Sequence, residues 1–158
     1  MTTLLGQLFD LSIVLEKKIS NLYFLFSEIF PEDAVLWRQL SSEEKNHSYI
    51  IEEARDALFS TGFSSTAIVP KDIDKLKLSI KKVNDLISYY KKNNVSVDRK
   101  KAFEDAISIE NSSGEFDYEE AMVKQTPTPP PSLKMFQQLN KEDKFHSIRI
   151  KKYADNIA

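Results

Sequence analysis

Cysteine is absent from the 158 residues, which excludes disulfides, iron-sulfur clusters and thiolate metal sites in one step and fits a reducing compartment. Glycine and proline are scarce, at three and six residues. The prolines fall at Pro31, at Pro70 and in the run from Pro127 to Pro131, so there are few places where a helix is forced to break. Long apolar runs are missing as well, and none approaches the roughly 18 residues that would span a bilayer. Neither sign of charge dominates. Twenty-two Lys and Arg against 24 Asp and Glu give a formal net charge of -2, with no surplus to hold nucleic acid or anionic lipid. The N-terminus lacks the cationic segment and small-residue cleavage site of an export signal. A cytoplasmic protein with neither nucleic-acid nor membrane partners is expected.

What remains is helical patterning over one domain, residues 1–158. Leu5, Leu8, Phe9, Ile13, Ile19, Tyr23, Phe26 and Phe30 recur at three- and four-residue steps, the helical period, and predict a first helix over 3–30. After Pro31, the residues Leu36, Leu40, Ile51, Ala54 and Leu58 predict a second, ending near Gly62. A Ser/Thr-rich connection leads past Pro70 to an amphipathic segment from Asp72 to about Lys92, marked by Leu76, Ile80, Val83, Ile87 and Tyr90. Asp98 is a fair N-cap for a third long helix to about Lys124, carrying Phe103, Ala106 and Ile107. The Pro-rich run ends it, and Phe136, Leu139, Ile150 and Tyr153 trace a last helix to the C-terminus. The expected fold is all-α, an antiparallel four-helix bundle whose long crossover connection carries an extra helix.

The chain has only two histidines, and each follows an acid by three positions on a long helix, as Glu44-Lys-Asn-His47 and Asp143-Lys-Phe-His146. An i, i+3 pair points to one helix face. The flanking strings also match, Ser42-Glu-Glu-Lys-Asn-His-Ser48 against Lys141-Glu-Asp-Lys-Phe-His-Ser147, so the chain reads as two related halves. The helix before each motif places one acid in an apolar stripe: Glu16 between Ile13 and Ile19, and Glu110 beyond Ala106 and Ile107. Packed together, the halves would gather Glu16, Glu44, His47, Glu110, Asp143 and His146 at one level. A Glu from each of two helices plus an acid-x-x-His from each of the other two is the layout of a carboxylate-bridged dimetal centre. Four ionised carboxylates in a bundle core would each carry a desolvation penalty of about several kcal/mol and would repel one another. Two divalent cations cancel that charge, and the oxygen-rich, nitrogen-poor donor set suits iron or manganese, and less selectively zinc.

At these residues the chain resembles the ferritin-like superfamily, most closely its rubrerythrin-like di-iron branch. The resemblance covers about 1–60 and 97–158, and includes Glu16-Lys-Lys-Ile-Ser-Asn-Leu-Tyr23, which looks like the family's Glu-x6-Tyr. It implies a ferritin-like four-helix bundle holding two iron ions and reacting with hydrogen peroxide or O2, in an expected homodimer. By position, Glu44 and Asp143 would bridge the metals, while Glu16 with His47 and Glu110 with His146 would each cap one. The chain differs from the family in having Asp143 where Glu is usual, and in having Ile107 and Ser113 around Glu110 where rubrerythrins carry an extra carboxylate. A rubredoxin module needs cysteines, so the electron donor is expected to be separate.

Other residues compete for these roles. Glu142 also reaches the face of His146 at i, i+4, but shares its stripe with Arg149, whereas Asp143 is in register with Leu139 and Ile150. Tyr23 lies on the Glu16 face, where it would either hydrogen-bond a ligand or supply an electron to the centre, or else serve as core with a satisfied hydroxyl. Trp37 reads as packing. Two other functions stay open on the sequence: ferritin-type iron oxidation and storage, and a non-catalytic bundle with a structural metal that acts through partner binding.

Overall fold

The computed structural model describes residues 3–64, 68–112 and 133–157, without the side chains of Ser112, Leu133, Phe136, Gln137, Asn140, Asp143 and Lys144. Within these residues the chain is all-helical. Five α-helices follow in order, α1 (Leu4–Ile29), α2 (Ala34–Ser60), α3 (Pro70–Lys92), α4 (Arg99–Ser112) and α5 (Leu133–Asn156), with a short 3-10 turn at Pro31–Asp33. No helix among the described residues is long and apolar enough to cross a membrane.

The helical period correctly marks the inward faces. All eight stripe residues predicted for the first helix are buried, as are Leu36, Leu40, Ile51, Ala54 and Leu58 on α2. The breaks have identifiable chemistry. Thr3 caps α1 by accepting the Gly6 amide at 3.0 Å. The third helix begins where expected, with Asp98 accepting the Lys100 amide at 3.0 Å. α3, however, begins at Pro70, two residues before the start read from the pattern. Proline's fixed φ suits the first helical turn, and Asp72 instead reaches back to accept the Val69 amide at 2.9 Å. Gly62, at φ +75°, follows the last turn of α2, and its amide bonds the Phe59 carbonyl at 3.0 Å. The extension of the third helix from 113 to about Lys124, and the Pro-rich run, lie outside the described residues.

α1 and α2 run antiparallel at close range. The Ser20 hydroxyl bonds the Ser41 carbonyl at 2.7 Å and the Ser41 hydroxyl bonds the Ser20 carbonyl at 2.8 Å, a reciprocal pair that small side chains permit. α3 lies against α1, with Tyr90 edge-on to Phe26 at 4.7 Å between ring centroids. Trp37 is fully buried, as its reading as packing requires. It stacks on Phe103 of α4 at 5.4 Å and meets Phe26 at 4.9 Å and Tyr23 at 5.4 Å. One polar junction ties three elements together: buried Asp33 accepts from Arg99 Nε and Nη2, at 2.9 and 2.5 Å, and from the Tyr153 hydroxyl at 2.9 Å. Read from the sequence, Asp33 is an ordinary acid at a helix start; in the fold it joins the beginnings of α2 and α4 to the end of α5.

Candidate metal centre

Burial of charge is the first observation. Glu16, Glu44, His47, Glu110 and His146 are all buried, Glu44 and His47 at 1% exposure each. Glu16 belongs to α1, Glu44 and His47 to α2, Glu110 to α4 and His146 to α5. Four helices therefore converge on one point, and each contributes from its inward stripe because the 3.6-residue period places these positions among the buried apolar residues.

Glu44 occupies the middle of the group. Its Oε1 lies 2.7 Å from His146 Nδ1 and its Oε2 lies 3.5 Å from His47 Nδ1, so one carboxylate presents an oxygen to each imidazole. Glu16 Oε2 stands 3.8 Å from His47 Nδ1 and Glu110 Oε1 stands 3.7 Å from His146 Nδ1. Glu16 thus pairs with one histidine and Glu110 with the other, while both Nδ1 atoms face the carboxylates. The two imidazole rings are stacked, with centroids 5.3 Å apart and planes inclined by 12°. Glu44, His47 and His146 each offer a ligand atom, and these atoms lie within 4.8 Å of one another.

The structure thus gathers five of the six expected ligands. The side chain of the sixth, Asp143, lies outside the described set; its backbone belongs to α5, three residues before His146. Glu142, the competing acid on that helix, contacts the other histidine. Its Oε2 is 3.0 Å from His47 Nε2, at the ring nitrogen turned away from Glu44. Tyr23 has a defined partner: its hydroxyl donates to Glu110 Oε1 at 2.5 Å. Burial, reinforced by the negative charge of Glu110 and Glu44, pushes the Tyr23 hydroxyl well above the ordinary phenol range, so it keeps its proton and remains a donor.

No family model, curated protein or solved structure matches the chain. Its chemistry must be argued from these side chains. Three buried carboxylates face two imidazoles. Even if both rings were protonated, they would supply two positive charges against three negative ones, and taking each ion out of water costs about several kcal/mol. Divalent cations among the carboxylates would reverse that imbalance, and neutral imidazoles would complete the coordination through Nδ1.

Sequence reasoning found the inward acids and histidines but missed Glu43 and Arg149. Glu43 Oε2 lies 3.6 Å from His146 Nε2, and Arg149 grips both Glu43 oxygens at 2.6 and 3.1 Å. Only the repeat offered a signal, because Glu43 occupies in Glu43-Glu44-Lys-Asn-His47 the place of Glu142 in Glu142-Asp143-Lys-Phe-His146.

Proposed function

We propose that the chain is a rubrerythrin-like di-iron carboxylate protein that reduces hydrogen peroxide or O2 with electrons from a separate donor. Glu44 is the observation that carries this reading, because its carboxylate faces Nδ1 of both histidines, as a bridge between two metal ions would. In this reading Glu16 and His47 hold one ion, Glu110 and His146 hold the other, and Asp143 is the fourth carboxylate. The architecture that goes with it is a ferritin-like bundle of α1, α2, α4 and α5, with α3 on the crossover connection, in a cytoplasmic homodimer. Manganese or zinc would also satisfy the donor set.

When bound, the metal pair supplies the reversible electron exchange and the open positions at which an oxidant is reduced. The chain's own residues do the rest. Burial of the five ligand side chains excludes bulk water and strengthens every charge interaction within the group. Tyr23, held in its protonated form, fixes the orientation of Glu110 through Oε1. Converting peroxide to water consumes an electron pair and two protons; the electrons come from the donor and the protons from solvent.

Anaerobic loading with Fe(II), metal counting and a peroxide-consumption assay test the proposal. Two irons per chain with rapid oxidation support it. His47→Ala and Glu110→Ala should each lose at least one metal, and unchanged stoichiometry in both refutes the ligand assignment. A second reading has its own observation: Glu44, His47 and His146 alone form a compact three-donor group. One inert zinc per chain would favour a structural ion in a non-catalytic bundle. Iron storage would instead require a cage-forming oligomer, which sedimentation of the iron-loaded protein would reveal.

A further inference from the structure

Lys17 and Lys45 directly follow Glu16 and Glu44 in the chain. Consecutive residues of a helix point about 100° apart, so these lysines turn off the buried faces that hold the acids, and both are exposed. Both line one cleft. It has a volume of about 1000 Å³, and its lining comes from α1, α2 and α3. At its base the Ser20 and Ser41 hydroxyls, both buried, lie 3.0 Å apart. That contact fixes the register of the antiparallel pair: Lys17, three residues before Ser20, and Lys45, four after Ser41, come to one level. Lys18 joins them in the lining, and Lys91 enters it from α3.

Charge and shape narrow what fits. Four lysines against a single acid, Glu28, leave the lining three positive charges in surplus, in a chain whose formal net charge is -2. Ion pairs such as Lys81–Asp85 and Lys101–Asp105 neutralise lysines elsewhere; Lys17, Lys18, Lys45 and Lys91 have no such partner among the described residues. A concave site of this size suits a small ligand better than the face of a protein, and ammonium groups from separate helices suit a phosphate. Phe24 supplies an apolar surface. It lines the same cleft at 51% exposure, and an accessible ring among cations is a platform for a flat ring system. The Asn21 and Asn84 amides, also in the lining, offer donors and acceptors to the edges of such a ring. Lys17 and Phe24 are seven residues apart on one stripe of α1, about 10 Å along its axis, which is comparable to the reach of a phosphate joined to a ring through a sugar linker.

We propose that this cleft binds a small phosphorylated ring compound, of the class of the mononucleotides and flavin mononucleotide, with its phosphate among Lys17, Lys18 and Lys45 and its ring against Phe24. The site is separate from the metal centre and does not depend on it.

The test uses the full chain in EDTA, which removes divalent ions that would themselves take phosphate. Flavin mononucleotide, read by fluorescence quenching, and AMP, read by calorimetry, are the probes; riboflavin, adenosine and inorganic phosphate are their parts. At least one probe should bind, and about 10-fold or more tightly than either its dephosphorylated form or inorganic phosphate; the probe that binds identifies the ring. Lys45→Glu should weaken it about 10-fold or more, and Phe24→Ala by about 10-fold. Lys77→Glu makes the same charge change on α3 outside the lining and should leave binding unchanged. Lys17, Phe24, Lys45 and Lys77 are exposed, so the variants are expected to fold. Failure of both probes to bind overturns the proposal. Binding that survives Lys45→Glu puts the ligand elsewhere and overturns it too, and equal losses in Lys45→Glu and Lys77→Glu would reduce the effect to net charge. Inorganic phosphate binding as tightly as both probes would make the cleft an unspecific anion patch, which also overturns it. With EDTA present throughout, each of these outcomes leaves the dimetal reading as it stands.

Discussion

Tyr23→Phe isolates a single hydroxyl in a setting that is otherwise unchanged. The ring is fully buried, packed at 5.4 Å from Trp37 and 6.3 Å from Phe26, and phenylalanine preserves those contacts. What is lost is the 2.5 Å donation to Glu110 Oε1. A hydrogen bond to a charged acceptor contributes about 1.5–3 kcal/mol, and the buried carboxylate left behind keeps its desolvation cost. About 2 kcal/mol in a domain of this size corresponds to a fall in melting temperature of roughly 4–8 °C. Thermal unfolding of the metal-free protein by circular dichroism is the assay. Glu110→Gln supplies the control, because an amide oxygen still accepts from the phenol while one of three clustered negative charges disappears. The double variant then yields the coupling between the two groups. A Tyr23→Phe shift below about 1 °C would show that the phenol does not hold Glu110, and its role in orienting that carboxylate would fall with it.

Three further outcomes follow from the same geometry. Saturating Zn(II) or Mn(II) at about 100 times the dissociation constant should stabilise the fold by about 2.7 kcal/mol for each ion bound; EDTA should reverse the gain, and a smaller gain is expected in the melting curve of His47→Ala. Trp37→Ala removes a fully buried ring that touches Tyr23, Phe26 and Phe103, and should cost about 3–5 kcal/mol in urea unfolding; a loss below about 1 kcal/mol would contradict that packing. Tyr90 donates to Asp105 at 2.6 Å, and burial followed by that bond raises its pKa. The unfolded chain ionises near pH 10, so Tyr90 contributes its full stability below that pH and loses it as the pH climbs toward the raised folded value. Absorbance at 295 nm should show Tyr90 still protonated above pH 11 in the folded protein, so that Tyr90→Phe leaves the early titration phase unchanged; loss of one tyrosine's amplitude from that early phase would refute this.

The inward faces were readable in advance because burial follows the helical period. Glu16 and Glu110 were conspicuous as acids among Ile13, Ile19 and Ala106, and the paired acid-x-x-His strings placed two imidazoles on long helices. Local sequence carries that information since it depends only on neighbours within two turns. α3 starts two residues before the point where the apolar pattern begins, because Pro70 occupies its first turn and Asp72 accepts the Val69 amide from within that turn.

Partner choice and register were decided by the fold alone. No local pattern relates Asp33 to Arg99 and Tyr153, and none matches Ser20 to Ser41, because these pairs are set by which helices pack and how far each slides along its neighbour. The same holds for Glu142. Periodicity assigned it a face on α5, but its contact with His47 follows from the antiparallel alignment of α2 with α5. The sequence determined the residues that turn inward and the charge they bring. The tertiary structure decided which nitrogen of each histidine meets which acid, because distances across helices arise only when the core packs.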